Sequence, residues 1–585
     1  MLVEIIDDQK KFTELQPQWE AVYDADPEAH FFLSWTWMFN WLKRVTYPSL
    51  ILAVRPEGES PDYAAFFPLW IKTKERKTGE LYNVIHMGGN HFADYAGFIC
   101  RPEMQEQAIA AIADGIRQLN WRQLHLQDIR TSDERVTLLL KALRRKDFNV
   151  ETTAAEIQDD IDLGICPVAQ LPGDWDAYLD TKLSANTRQK IRRLLRQLEI
   201  SKDLRIIPAD KDTIDRDIEI LLKFWTKRWG DQKGTRLAGI LENNRVMLRH
   251  VFDAGSLFLP VLWQGDRPVG ALAILADYKK KAFLFFAGGR DQTFKGPPPG
   301  VVLHAHSIRH AIQNGITIYD FLRGNESYKY SFGVEEHRIK TIVVETKNKK
   351  NLGDKLDKHC VSVAIKRSLQ NHRAGDKEKA EVGYRLVLEI EPRSVAALYG
   401  LGRIAAERGN QAEAMELYKT LLAGSPEGYE PSFLLGTTLQ AQGKLAEAAD
   451  AYGQGIEREP KNPDAYYDLG RILRKLGLYD LAIAAFDVVA DLEPDFPDIG
   501  MTKLKTVKSR DRRSPEDRAR SASTNAAMSD RIGKLKAIAR AADHYKPKAD
   551  VPLVLEWQQR GPERPFSFSR NATPTAGAVK PTQKG

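Results

Sequence analysis

A fixed step of 34 residues runs through the last third of this 585-residue chain and constrains it more than any other feature. Gly402, Gly436 and Gly470 keep that step, as do Gly409, Gly443 and Gly477. So do Ala414, Ala448 and Ala482, then Tyr418, Tyr452 and Phe486, and Pro426, Pro460 and Pro494. One step earlier, Gly375, Ala380, Tyr384 and Pro392 hold the frame, while Arg367 and Ser368 stand where later units carry Leu-Gly. An internal period of this length means stacked helical units, each burying its apolar face only against its neighbours. The residue types suit helix hairpins. Small residues let two helices approach closely, an aromatic fills the groove between them, and proline ends the second helix.

The period therefore predicts four units, 361–394, 395–428, 429–462 and 463–496, and the frame resembles the tetratricopeptide repeat (TPR). The resemblance implies an all-α solenoid that docks a protein partner. The first unit, which departs most from the frame, reads as a cap. From residue 497 to 585 the composition turns basic and polar. This tail holds 19 basic and 9 acidic residues, a charge of +10 within a chain whose net charge is +7, so the first 496 residues carry −3. A mostly disordered tail is expected there, with disorder over 505–530 and one short amphipathic helix around 531–544. Because the excess charge sits in the tail, it gives no reason to expect nucleic acid as a partner of the folded body.

The first 350 residues carry no repeat and read as mixed α/β. Strand-like runs fall at 49–55, 63–71, 81–88, 95–99 and 123–129, with helices at 31–45, 103–119 and 134–146. A similar set follows: helices at 174–200 and 214–229, strands at 257–264, 269–277 and 281–288, a helix near 301–314, and strands at 316–322 and 340–345. Two halves of like content suggest a duplicated unit, 1–160 and 161–350. The three cysteines, Cys100, Cys166 and Cys360, are too few and too scattered for a disulfide framework or a Cys-rich zinc site. The opening MLVEIIDDQKKF lacks the basic-then-apolar plan of a signal peptide, and no apolar run approaches membrane-spanning length. A cytoplasmic setting is the expectation.

The second half carries the informative phrases. FLPVLWQGDRPVGALAILADYKKKAFLFFAGGRD (258–291) reads as a three-strand meander, followed by KGPPPG (295–300), a helix, and ITIYDFLRGNESYKYSFG (316–333). In this order the segments resemble the GNAT acetyltransferase superfamily, nearest its CelD/BcsL-like branch, which is associated with bacterial exopolysaccharide synthesis. That branch is similar to the Fem-type aminoacyl transferases, which hold two GNAT-like units in tandem. The resemblance also takes in Trp35, Trp37 and Trp41, the HFADYAGFI segment and the LSANTRQKIRRLLRQLE helix.

The resemblance implies acyl transfer from acetyl-CoA to an amine or hydroxyl of a sugar or cell-envelope precursor, without a metal. The donor amides would pair with strand 283–289, and its phosphates would meet free N–H groups where the next helix starts. Lys295, Gly296, Gly300, Val301 and Arg323 are the donor-binding candidates, with Gly300 and the two residues after it offering N–H groups. Pro297, Pro298 and Pro299 have none to give, a departure from the usual phosphate loop. Asp320, at a strand end, is the leading candidate base, with Glu326 and Asp94 as further carboxylates. Tyr95, Trp225, Arg228, Tyr328 and Lys329 are candidate acceptor contacts. His304, His306 and His310 lack the HExxH arrangement and are not assigned to a metal. A Fem-like transferase using charged tRNA and a non-catalytic TPR adaptor are the competing readings.

Overall fold

The computed structural model describes residues 1–58, 62–89, 93–153, 157–424, 430–494, 496 and 499–514. The helix expected at 531–544 and the tail beyond residue 514 lie outside the described residues. The chain divides into two compact units. One comprises Met1–Arg76 with Leu81–Val361, and the other begins its main run at Ser362.

Among the described residues, the first unit contains two eight-stranded mixed sheets built on one plan, beside the two-stranded pair Ile157–Gln158 and Ile161–Asp162. In the first, strands run in the order Leu2–Ile6, Ser49–Arg55, Ala65–Glu75, Leu81–Met87, Gln123–Ile129, Lys340–Thr346 and Phe148–Thr153. The second follows the order Leu204–Pro208, Pro260–Gln264, Arg267–Asp277, Ala282–Arg290, Ile318–Asp320, Ile165–Gln170 and Glu335–Arg338. Each sheet holds one parallel pair: Leu81–Met87 with Gln123–Ile129, and Ala282–Arg290 with Ile318–Asp320. A parallel connection needs a crossover, and helices Gln105–Gln118 and Pro299–Gln313 supply the two.

The second half also lends the first a strand. Ile165–Gln170, which opens the second half, pairs antiparallel with Ile318–Asp320 and Glu335–Arg338 in the second sheet. Lys340–Thr346, at the end of the second half, pairs instead with Gln123–Ile129 and Phe148–Thr153 in the first. The first sheet is therefore not complete without a strand from beyond residue 160. A shared apolar core joins Trp19, Phe31 and Phe66 to Leu221, Leu248, Ala273 and Leu284.

Local chemistry explains where the elements depart from the expected ones. The helix expected over 31–45 is a single 3-10 turn, Phe31–Leu33, followed by Trp35–Arg44, because the Ser34 side chain accepts from Trp37 N–H and caps a new start. Ser184 does the same with Thr187 N–H, dividing the expected helix 174–200 into Trp175–Lys182 and Ala185–Ile200. The strand expected at 95–99 shrinks to Ile99–Cys100, with Ala96 bridging to Ile129.

The second unit is a run of helix pairs. Val361–Arg373 pairs with Lys377–Ile390, Val395–Glu407 with Gln411–Gly424, Glu430–Ala441 with Leu445–Arg458, and Pro463–Lys475 with Tyr479–Leu492. The periodic residues prove to be each other's partners. A Cβ on Gly402, Gly436 or Gly470 would stand 2.2, 2.6 or 2.5 Å from the ring of Tyr418, Tyr452 or Phe486 respectively. Each glycine thus makes room for the aromatic 16 residues later. Part of the segment expected to be disordered is instead helical, Ile499–Asp511. Its Ile499 is buried in the repeat core, and Lys503 and Arg510 pair with Asp487 and Asp480 of the last repeat helix.

Gly470→Ala is expected to cost about 1–3 kcal/mol of array stability through overpacking. Phe486→Leu should return part of that loss in the double variant. Chemical denaturation of the four proteins checks this, and strictly additive losses would show that the two residues do not share the contact.

Candidate active site

The two sheets meet where their parallel pairs end. In the second sheet the pairing stops at Leu284 and Asp320. Beyond it Ala282–Arg290 stays on its antiparallel partner as far as Arg290, through a register shift opposite Ala273 and Ile274. The other chain turns away. Leu322 takes a positive φ of 56°, and Gly324 a φ of +100° that a side chain would strain. Among the described residues no strand pairs with the edge of 285–290 that this parting leaves open. Helix Ile214–Lys233 covers one face of the same strand at Gly289, where a Cβ would lie 2.4 Å from Phe224 Cβ.

Two ion pairs cross between the halves at this point, each half supplying one acid and one base. Arg130 of the first half holds Asp320 of the second through Nη1–Oδ2 at 2.5 Å, and Arg323 of the second holds Asp128 of the first at 2.9 Å. The donors on Asp320 do not stop there. Tyr95 Oη donates to both of its oxygens, at 2.9 and 3.1 Å, and Leu322 N–H donates to Oδ1 at 2.8 Å. Asp320 is 1% exposed, and the Arg130 guanidinium also stacks over the Tyr95 ring at 4.5 Å. Both sequence candidates, Tyr95 and Asp320, are therefore brought together, and the Asp320 carboxylate is taken up by Tyr95, Arg130 and Leu322 N–H.

Arg323 is likewise engaged, its Nε donating to Leu163 O at 3.0 Å beside the pair with Asp128. Lys329, 2% exposed, spends its ammonium on the carbonyls of Arg323 and Gly324 and on the Glu326 carboxylate. Sequence-neighbouring candidates thus stabilise the turn that carries them.

Asp94 differs from the other carboxylates. Burial lifts its carboxyl to about 6, with Arg323 and Lys329 pulling down and Asp128 and Asp320 pushing up. A carboxylate at that value exchanges its proton near neutral pH, which suits a general base. Its neighbourhood ties Asp94 to Arg323 and Lys329, residues that lie more than 200 positions away in sequence.

On the donor side, Lys295 and Gly296 are exposed, and Gly300 has open space where a Cβ would stand. Helix Pro299–Gln313 has no side-chain cap. Val302 N–H, expected to be free, donates to Pro298 O at 3.1 Å, so the unbonded N–H groups at this start are those of Gly300 and Val301. The triple proline removes donors ahead of the helix but leaves these two. Arg228, exposed over the Trp229 ring at 4.7 Å, is close enough to Tyr328 to influence its hydroxyl, whereas Trp225 sits half-buried beside Gly289.

Burial pushes all three thiols, Cys100, Cys166 and Cys360, up to about 12, so none is a ready nucleophile at neutral pH. His304 is buried and neutral, its imidazole held down to about 3, with Nδ1 bonded to Tyr319 Oη at 2.9 Å. His310 stacks on Phe258.

Arg130 and Asp128 were not among the sequence candidates. Their signal is the duplication itself: QDIR (127–130) ends the inner strand of one half as YDFLR (319–323) ends that of the other.

Residues 185–330 match the family model "Acetyltransferase (GNAT) domain", and residues 373–429 and 433–496 match "Tetratricopeptide repeat". The chain thus joins a GNAT-like acetyltransferase domain to TPR repeats. No curated protein sequence matches significantly. Among solved structures, FemX is similar over 58% of this chain and 96% of its own, at 12% identity and a TM-score of 0.42. A conserved protein of unknown function from Bacteroides thetaiotaomicron VPI-5482 covers 59% and 100%, at 11% identity and 0.38. The MamA protein covers 32% of this chain and 97% of its own, at 20% identity and 0.24.

Proposed function

We propose that this chain is an acyltransferase that moves an acyl group, acetyl in the simplest case, from a CoA thioester to an amine or hydroxyl. The observation that carries the reading is the parted strand pair, which leaves the 285–290 edge unpaired close to the uncapped helix start at Gly300 and Val301. An extended chain of amides adds to such an edge as a further strand would. Phosphates are met by the two free N–H groups, with Lys295 adding charge.

Asp94 then takes the proton as the acceptor nitrogen or oxygen attacks the thioester carbonyl. The new C–N or C–O bond forms, the C–S bond breaks, and the sulfur leaves with a proton. The high thiol values favour this direct transfer over an acyl-cysteine intermediate. A sugar or cell-envelope precursor is the acceptor class that the sequence resemblance suggests, and the repeats would dock the enzyme on a protein partner in the cytoplasm.

Calorimetric titration of CoA and acetyl-CoA into the full chain tests the donor. Saturable binding weakened by Gly300→Pro, which removes one of the two free N–H groups, supports the reading. Absence of binding to the folded protein overturns it. Binding of charged tRNA instead would establish the aminoacyl-transfer alternative, and binding of neither would leave the adaptor.

A further inference from the structure

A cleft of about 420 Å³ opens between the halves of the first unit, next to Asp320. Asp94, Arg323 and Lys329 take no part in its wall, so it is separate from the transfer groups above. Ala282, Leu284, Ile318 and Asp320 are alternate residues of two paired strands, so they share one face of the sheet. Ala29, Phe31 and Ile339 extend the apolar lining.

One polar group on this wall has bonding capacity to spare. Arg130 gives Nη1 to Asp320, and among the described residues its Nε and Nη2 take part in no hydrogen bond. Its side chain is 30% exposed while that of its partner is 1% exposed, so the guanidinium presents an open edge. Two parallel N–H groups in a plane match a carboxylate in bidentate fashion.

The acids of the wall are already served by protein donors. Glu28 receives the Thr131 hydroxyl and Ser132 N–H and pairs with Arg135, while Asp277 receives Tyr23 Oη and Lys280 N–H. Lys280 rests its ammonium on the carbonyls of Asp24 and Asp26 and over the Tyr23 ring at 4.9 Å, with the Asp24, Asp26 and Asp277 carboxylates acting on it. Three cations (Arg130, Lys280, Arg338) face three carboxylates (Asp320, Glu28, Asp277), and Arg338 is further paired with Asp162. The wall thus carries no surplus of positive charge, one added negative charge costs less than two, and what meets it is the unused fork of Arg130.

We propose that this cleft binds a small organic monocarboxylate, its carboxylate on the open edge of Arg130 and its apolar body against Ala29, Phe31, Leu284 and Ile318. The volume lies within the range of small-molecule sites, and apolar surface beside a few placed polar groups is their usual make-up.

The test is calorimetric titration of the full chain with hexanoate, cyclohexanecarboxylate and phenylacetate, alongside hexanamide and inorganic phosphate. At least one carboxylate should saturate, at least tenfold more tightly than both hexanamide and phosphate. Arg130→Lys should weaken it about tenfold by removing the fork while keeping the charge. Since that variant also disturbs the Asp320 pair, Ala282→Phe provides a second arm. It fills the cleft, leaves Arg130 in place, and should abolish binding. No saturation by any carboxylate, equal binding of amide or phosphate, or unchanged binding to Ala282→Phe would each overturn the proposal. None of these outcomes bears on CoA binding, which is measured separately.

Discussion

Asp94→Asn is expected to slow acyl transfer by about 10²–10⁴-fold, the usual contribution of a positioned general base. The same group sets the pH profile. Its carboxyl lies near 6 in the folded protein because burial disfavours the charge, and the base must be ionised to work. The rate at low substrate should therefore fall tenfold per pH unit below about 6 and level off above it. A profile that is flat from pH 5 to 8, or an asparagine variant with near-normal rate, would remove Asp94 from the reaction. Stability should move the other way. A carboxyl whose folded value lies above its unfolded one favours the fold when protonated, below the unfolded range, and loses that contribution as pH rises through about 6. Asparagine keeps the neutral form at every pH, so the variant should melt higher than the parent at pH 7 while losing activity.

Asp320→Ala should unfold the first unit more readily, by about 3–5 kcal/mol, since a buried ion pair with one partner removed leaves the other charge and its donors unsatisfied. Here the stranded groups are Arg130, Tyr95 Oη and Leu322 N–H. Asp320→Asn keeps two acceptor directions and should cost less. The pair of variants separates two roles. If Asp320 positions the turn that carries Arg323 and Lys329, the rate loss should follow the stability loss, and the pH profile set by Asp94 should remain. If Asp320 were itself the base, the asparagine variant would fold well and lose the low-pH limb. Thermal melts and pH–rate profiles on both variants decide this.

Much of the fold is legible in the residues because it is local. Strand Gln123–Ile129 follows from the alternation in QLHLQDI, and the repeat helices from glycine, alanine and aromatic spacing alone. The candidate site is less legible. YDFLRG pointed to the right strand end, yet nothing near it in sequence shows that Asp320 is saturated by Tyr95 and Arg130, 225 and 190 positions away. The value of Asp94 is equally non-local, since it depends on burial and on four charged groups, Asp128 and Asp320 on two different strands and Arg323 and Lys329 in the segment that follows the second.

Periodicity and composition are properties of neighbouring residues, so the repeat array and the mixed α/β class were determined by the sequence itself. The placement of strand Lys340–Thr346 in the first half's sheet, the crossed pairs Arg130–Asp320 and Arg323–Asp128, and the raised carboxyl of Asp94 were decided only in three dimensions. The reason is physical. Whether a carboxylate is a free base or a bonded strut depends on desolvation and on which donors the tertiary fold delivers to it, and residues remote in sequence deliver them here.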